Sequence, residues 1–129
     1  MIDIDDVIKI HKILIDHFGG SHGLRDENSL NSAISRPFAT FDQKELYPET
    51  IDKAAAILES IITNHPFVDG NKRTGYVLAR LFILRSGFDI EATQDEKYEM
   101  VISVSNGTCK YEQIKDWFSK RCKNKRTKT

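Results

Sequence analysis

The chain has 129 residues, with 19 Lys and Arg against 19 Asp and Glu, 40% hydrophobic and 29% charged residues, and two cysteines. That length suits one domain, which buries roughly two-thirds of its unfolded surface without covalent staples. Two cysteines are too few for a disulfide-rich frame, and Cys109 and Cys122 lack the C-x-x-C spacing of a zinc site, while the acidic start and the lack of an apolar run near ~18 residues make a signal peptide and a membrane span unexpected. The expected compartment is the cytoplasm.

The charge is unevenly placed. Six of the 19 basic residues lie in 120–129 with no acid among them, leaving 13 bases against 19 acids in residues 1–119. Residues 1–122 are therefore expected to form the folded domain and 123–129 a basic, disordered tail. An acidic body argues against nucleic-acid binding by the chain alone.

In chain order, Val7, Ile10, His11, Leu14, Ile15 and Phe18 recur at helical spacing before Gly19-Gly20, predicting an amphipathic helix over 3–18. A short helix over 26–36 has Asp26 as N-cap and ends at Pro37. Residues 38–47 lack helical periodicity and read as a loop or small hairpin exposing Phe38 and Phe41. From Pro48, placed in a first helical turn, the run Ile51, Ala54, Ala55, Leu58, Ile61 and Ile62 predicts a central helix ending before Pro66. Residues 72–85 are helical again and Gly87 closes them; Thr93 with Glu96 forms a capping box for a fifth helix; residues 110–122 form the last, with Tyr111, Trp117 and Phe118 facing the core. The fold class is all-α, about six helices in a single domain.

Between the two most apolar helices lies HPFVDGNKRTG, His65 to Gly75. A polar cluster at such depth must be fully hydrogen-bonded or have a ligand to meet. The start of the helix near Asn71 and Lys72 offers outward N–H groups and the positive end of its dipole, Gly70 permits close backbone approach, and Lys72 and Arg73 add charge: a composition suited to polyphosphate. Gly70 and Gly75 have P-loop spacing, but Tyr76-Val77 replaces the Lys-Ser/Thr pair and a helix precedes, so that reading fails. Asp69 is a lone carboxylate of the kind that holds Mg²⁺ together with phosphate oxygens, and His65 suits a general base worth about 10²- to 10⁴-fold in rate. Taken alone, His65 could be a helix-end histidine and Asp69 an N-cap; the joint spacing favours a site. His11, His17 and His22 suggest no metal site, and Arg80 and Arg85 read as solvated helix faces.

The run His65-Pro66-Phe67-Val68-Asp69-Gly70-Asn71-Lys72-Arg73 resembles the signature H-x-F-x-[D/E]-G-N-[G/K]-R of the Fic/Doc superfamily, and the resemblance extends over Gly23-Leu24-Arg25-Asp26 and Arg36-Pro37. The subgroup most resembled is the death-on-curing toxins of toxin-antitoxin modules. The resemblance implies His65 as the base that deprotonates a target hydroxyl, Asp69 as the Mg²⁺ ligand, and Gly70, Asn71, Lys72 and Arg73 as the cradle for the phosphates of ATP. It makes Phe67 a core anchor and residues 38–47 a flap for the target peptide. Lys72 and Tyr76 stand where AMP-transferring relatives have a glycine and a second arginine, which favours phosphoryl transfer over adenylylation; an inactive binding module is the remaining alternative. The implied target is a threonine of elongation factor Tu. The self-inhibitory [S/T]-x-x-x-E-[G/N] pattern is missing, since Gly23 precedes Glu27-Asn28, so an antitoxin on a separate chain is the expected inhibitor.

Overall fold

Residues 2–125 are described by the computed structural model. Within them six helices run α1 (Ile4–Phe18), α2 (Glu27–Ser35), α3 (Thr50–Asn64), α4 (Asn71–Arg85), α5 (Gln94–Ser105) and α6 (Tyr111–Arg121). Two small antiparallel pairs join them: β1 (Thr40–Phe41) with β2 (Lys44–Glu45), and β3 (Phe88–Ile90) with β4 (Cys122–Asn124). The all-α expectation holds, and no described helix is long and apolar enough to cross a membrane.

α3 is central because its apolar face is broad and its few polar side chains, among them Asp52 and Glu59, are tied to neighbouring elements. Ala54, Ala55, Ala56, Ile57, Leu58, Ile61 and Ile62 are buried, and α3 contacts α2, α4, α5 and α6. Each fully buried Ile or Leu contributes about 1.5–3 kcal/mol. α4 lies against it through Gly75, where an added Cβ would sit 3.4 Å from Ile61 Cβ and from the Leu58 carbonyl oxygen. This close crossing brings the end of α3 and the start of α4 together at the connecting loop.

The helix ends show why the elements stop where they do. Asp3 caps α1, Asp26 caps α2 by accepting from Asn28 and Ser29, and the Thr93–Glu96 box opens α5 as expected. Pro48 lies outside α3, contrary to its expected place in the first turn. The N-cap is Glu49, whose amide donates to Asp52 Oδ2 at 3.1 Å, while Lys115 Nζ lies 3.0 Å from Asp52 Oδ1 and ties α6 to the same corner.

Residues 38–47 form the hairpin alternative. Asp42 and Gln43 take φ of 53° and 65°, the left-handed pair of a tight two-residue turn. Phe41 is exposed, but Phe38 is half-buried against Phe82, which corrects the expectation that both rings face solvent. Arg36 secures the hairpin's stem: it donates to Tyr47 Oη at 3.0 Å and to Glu59 Oε1 at 2.8 Å on α3.

The tail expected from residue 123 begins inside a strand. Cys122, Lys123 and Asn124 pair with Ile90, Asp89 and Phe88, and the Lys125 amide donates to the Gly87 carbonyl. Residues 126–129 lie outside the described part. Phe118 is fully buried, whereas Tyr111 and Trp117 are half-buried at the edge of the core. Arg80 is exposed, as expected, and its Nε and Nη2 both pair with Asp89, so from the helix face it also braces β3.

The α3–α4 crossing gives a direct test. Gly75→Leu must push the two helices apart and should cost about 1–3 kcal/mol, read as a lower urea midpoint at unchanged m-value.

Candidate active site

The loop between α3 and α4 starts from a helix end held in an uncommon conformation. His65 is the C-cap of α3 at φ 49°, ψ 54°, its amide still donating to the Ile61 carbonyl, so the chain turns sharply and the imidazole is left exposed. Arg25 reaches this turn from the segment before α2 and donates through Nε to the His65 carbonyl and through Nη2 to the Asn64 carbonyl. The end carbonyls of α3 thus receive a cation where the helix dipole is negative.

The rest of the loop runs beside residues 20–26 as a strap. The Arg25 and Asp26 amides both donate to the Pro66 carbonyl, at 2.7 and 3.1 Å, Leu24 and Phe67 form an antiparallel bridge, and the Val68 amide donates to the Gly23 carbonyl at 2.9 Å. Phe67 is buried, as expected of an anchor. Its amide donates to Asn71 Oδ1 at 3.0 Å and its carbonyl accepts from Asn71 Nδ2 at 2.9 Å. The Asn71 side chain is therefore engaged as a brace within the loop, and Nδ2 also lies 3.4 Å from His65 Nδ1. What Asn71 can offer a ligand is its backbone amide.

Asp69 is exposed and held at both carboxylate oxygens: Oδ2 accepts from the Ser21 amide at 3.0 Å and Oδ1 from the Gly70 amide at 2.8 Å. Those two amides, with Lys72 and Arg73 nearby, hold its carboxyl below the usual carboxylate range. Asp69 is not the N-cap of α4. That position belongs to Gly70 at φ 76°, which has no side chain to cap the helix and leaves the first amides of α4 open to an anion. A Cβ on Gly70 would come within 2.9 Å of Ile15 Cδ1.

Lys72 and Arg73 are exposed on the first turn of α4, and Arg73 lies over the Phe18 ring, its Cζ 4.8 Å from the centroid. They open onto a cavity of about 530 Å³ between α1, α4 and α5, also bordered by Leu14, Phe18, Tyr76 and Lys97. On the other side, a cavity of about 610 Å³ lies between the hairpin and the end of α3, reaching Thr40, Thr63 and Asn64. Tyr76 is tucked down between these helices; its hydroxyl is buried without a hydrogen-bond partner and burial pushes its pKa to about 12.

The structure thus brings His65, Asp69, Gly70, Asn71, Lys72 and Arg73 to one rim, exposing His65 and Asp69 and burying the Asn71 side chain. Sequence reasoning missed Arg25, the Ser21 amide and His11, whose Nε2 lies 2.8 Å from the Asp69 carbonyl. His11 did carry a signal, since it occupies the inward face of α1 with Val7 and Ile15.

A helical domain whose central loop sets an exposed imidazole and a fixed carboxylate beside an uncapped helix start has the features expected of a Fic-type fold. The Fic/DOC family model matches residues 1–83, and the chain belongs to that family. It is 39% identical over 100 residues to Toxin Doc of Mycolicibacterium smegmatis, covering 73% of this chain and 75% of that protein. It is 25% identical over 115 residues to Protein kinase doc of Escherichia phage P1, covering 89% and 90%.

Two outcomes are expected. A carboxyl-carbon NMR titration should place Asp69 below an unstructured aspartate; because the folded value is depressed, its contribution to loop stability is present above the unfolded value and is lost as pH falls through the folded one. Gly70→Ala should cost about 1–2 kcal/mol by thermal unfolding, since an L side chain is forced to positive φ against Ile15.

Proposed function

We propose that this protein is the toxin of a toxin-antitoxin pair and transfers the γ-phosphoryl group of ATP to a Ser or Thr hydroxyl of a target protein. The observation that carries the reading is the uncapped start of α4 at Gly70, with the Asp69 carboxylate beside it and His65 at the other end of the same short loop. An uncapped helix N-terminus flanked by Lys72 and Arg73 is chemically matched to a polyphosphate. The name Protein kinase doc, borne by the phage P1 relative, supports the kinase form.

His65 would take the proton of the acceptor hydroxyl as the hydroxyl oxygen bonds to the γ-phosphorus and the bond to the bridging oxygen breaks, ADP carrying the electron pair away. Asp69 fits one carboxylate ligand of Mg²⁺: it is ionised, exposed and fixed at both oxygens by amides. When bound, that ion supplies neutralisation of phosphate charge. The α4 amides, Lys72 and Arg73 would orient the phosphates, and the strap at 20–26, hydrogen-bonded along the loop, would hold it in place as charge develops. The hairpin borders the cavity nearest His65 and would lay the target segment across it. The acceptor that the family resemblance implies would be a threonine of elongation factor Tu, which would place the activity in the cytoplasm and halt translation.

AMP transfer is the second reading, and two residues count against it. Lys72 stands in place of a glycine, and a half-buried Tyr76, its hydroxyl turned inward, stands where a second arginine would clamp the far phosphate. For control, the cavity whose apolar floor of Leu14, Phe18, Val101 and Ile102 is rimmed by Lys72, Arg73, Arg80 and Lys97 would receive a helix of the antitoxin.

Incubation of candidate targets with ATP labelled at the α- or γ-position is decisive: γ-label on protein is expected, α-label would mean AMP transfer, and no label with either would leave a binding module. His65→Ala should lower transfer by about 10²- to 10⁴-fold at unchanged thermal stability, because the side chain is exposed and outside the core.

A further inference from the structure

Among the four histidines His11 is the buried one, at 3% exposure, and the proposed chemistry makes no use of it. From the inner face of α1 its ring lies flat on Phe67, with centroids 3.8 Å apart and planes 5° from parallel. At the far tip of the ring, Nε2 is 2.8 Å from the Asp69 carbonyl oxygen. A carbonyl only accepts, so Nε2 carries the hydrogen and donates it.

We infer that His11 is a positioning residue that locks the Asp69–Gly70 peptide and thereby aims the Asp69 carboxylate. The argument is about that one peptide plane. Its oxygen is held by His11 from α1, and its N–H is held by Asp69 Oδ1. Gly70 follows at φ 76°, and a glycine tolerates either sign of φ, so rotation of the plane before it meets little steric resistance. Without the His11 donor the plane is free to turn, the Gly70 amide swings away from Asp69 Oδ1, and only the Ser21 contact is left on the carboxylate. The Asp69 carbonyl would also lose a partner beside a buried ring, which costs more than an average hydrogen bond. A histidine meets both demands: a flat face for Phe67 and a rigid donor at the right reach.

The inference rests on reading Asp69 as the metal carboxylate, and the test separates the two. Mn²⁺ binding in the presence of ADP is read by electron paramagnetic resonance, and exchange of the Gly70 amide is read by NMR without metal. His11→Phe keeps a ring on Phe67 and removes the donor; His11→Gln puts a donor back near the position of Nε2. The Phe variant should bind Mn²⁺ about tenfold more weakly and the Gln variant within about threefold of the parent, as expected for a group supporting a metal ligand. Gly70 exchange should be faster in the Phe variant and restored in the Gln variant. If His11→Phe fails to fold, His11→Asn, polar but too short, replaces it against His11→Gln. Parent-like affinity and exchange in the donor-less variant, or a Gln variant as impaired as the Phe variant, overturns the inference. Should the parent bind no Mn²⁺ with ADP, the metal reading of Asp69 is lost, and Gly70 exchange alone decides the role of His11.

Discussion

Residues 65–70 join α3 to α4 without belonging to a helix or a strand ladder, dipping inward at Pro66 and Phe67, and every backbone polar group that is buried there needs a partner from elsewhere. The Pro66 carbonyl is taken by Arg25 and Asp26, both main-chain groups of Phe67 by the Asn71 side chain, the Val68 amide by Gly23, and the Asp69 carbonyl by His11. This satisfaction comes from three separate stretches of chain: α1, the strap before α2, and the first residue of α4. It lets a polar loop sit between two apolar helices without a desolvation penalty, and it leaves only the His65 ring, the outer faces of the Asp69 carboxylate and the first amides of α4 available to a ligand.

The α3–α4 crossing carries the same constraint on a larger scale. Gly75 faces Leu58 and Ile61, and the alanines at 54–56 leave α3 slim enough for its neighbours to close around it. The loop ends are held where a six-residue connection can span them. The hairpin is set into the same frame by Arg36, which bridges Tyr47 to Glu59, and by Lys53, which pairs with Glu45 and the Tyr47 carbonyl.

Electrostatically the site is a local exception. The folded body is acidic overall, yet Lys72, Arg73, Arg80 and Lys97 border one cavity, with the aligned N–H groups of α4 adding to them. Arg80 is neutralised by Asp89 and Arg73 rests on Phe18, so Lys72 is the cation there that is least committed to protein partners.

How much of this was legible depended on sequence distance. Helix periods and caps are written among neighbours, so Asp26 and Thr93 with Glu96 could be read directly, and α1 to α4 and α6 fall within two residues of their expected bounds. The loop was legible as a candidate site for the same reason, being nine consecutive residues. Pro48 misled because a proline suited to a first turn is equally suited to the extended residue before a cap. What only the tertiary structure decided is who holds the loop. The pairing of β3 with β4, the placing of Arg25 on the Asn64 and His65 carbonyls, and the contact of His11 with Asp69 join residues some 30 to 60 positions apart. Hydrogen bonds across such separations depend on how helices cross, which follows from the whole core at once and leaves no local pattern in the chain.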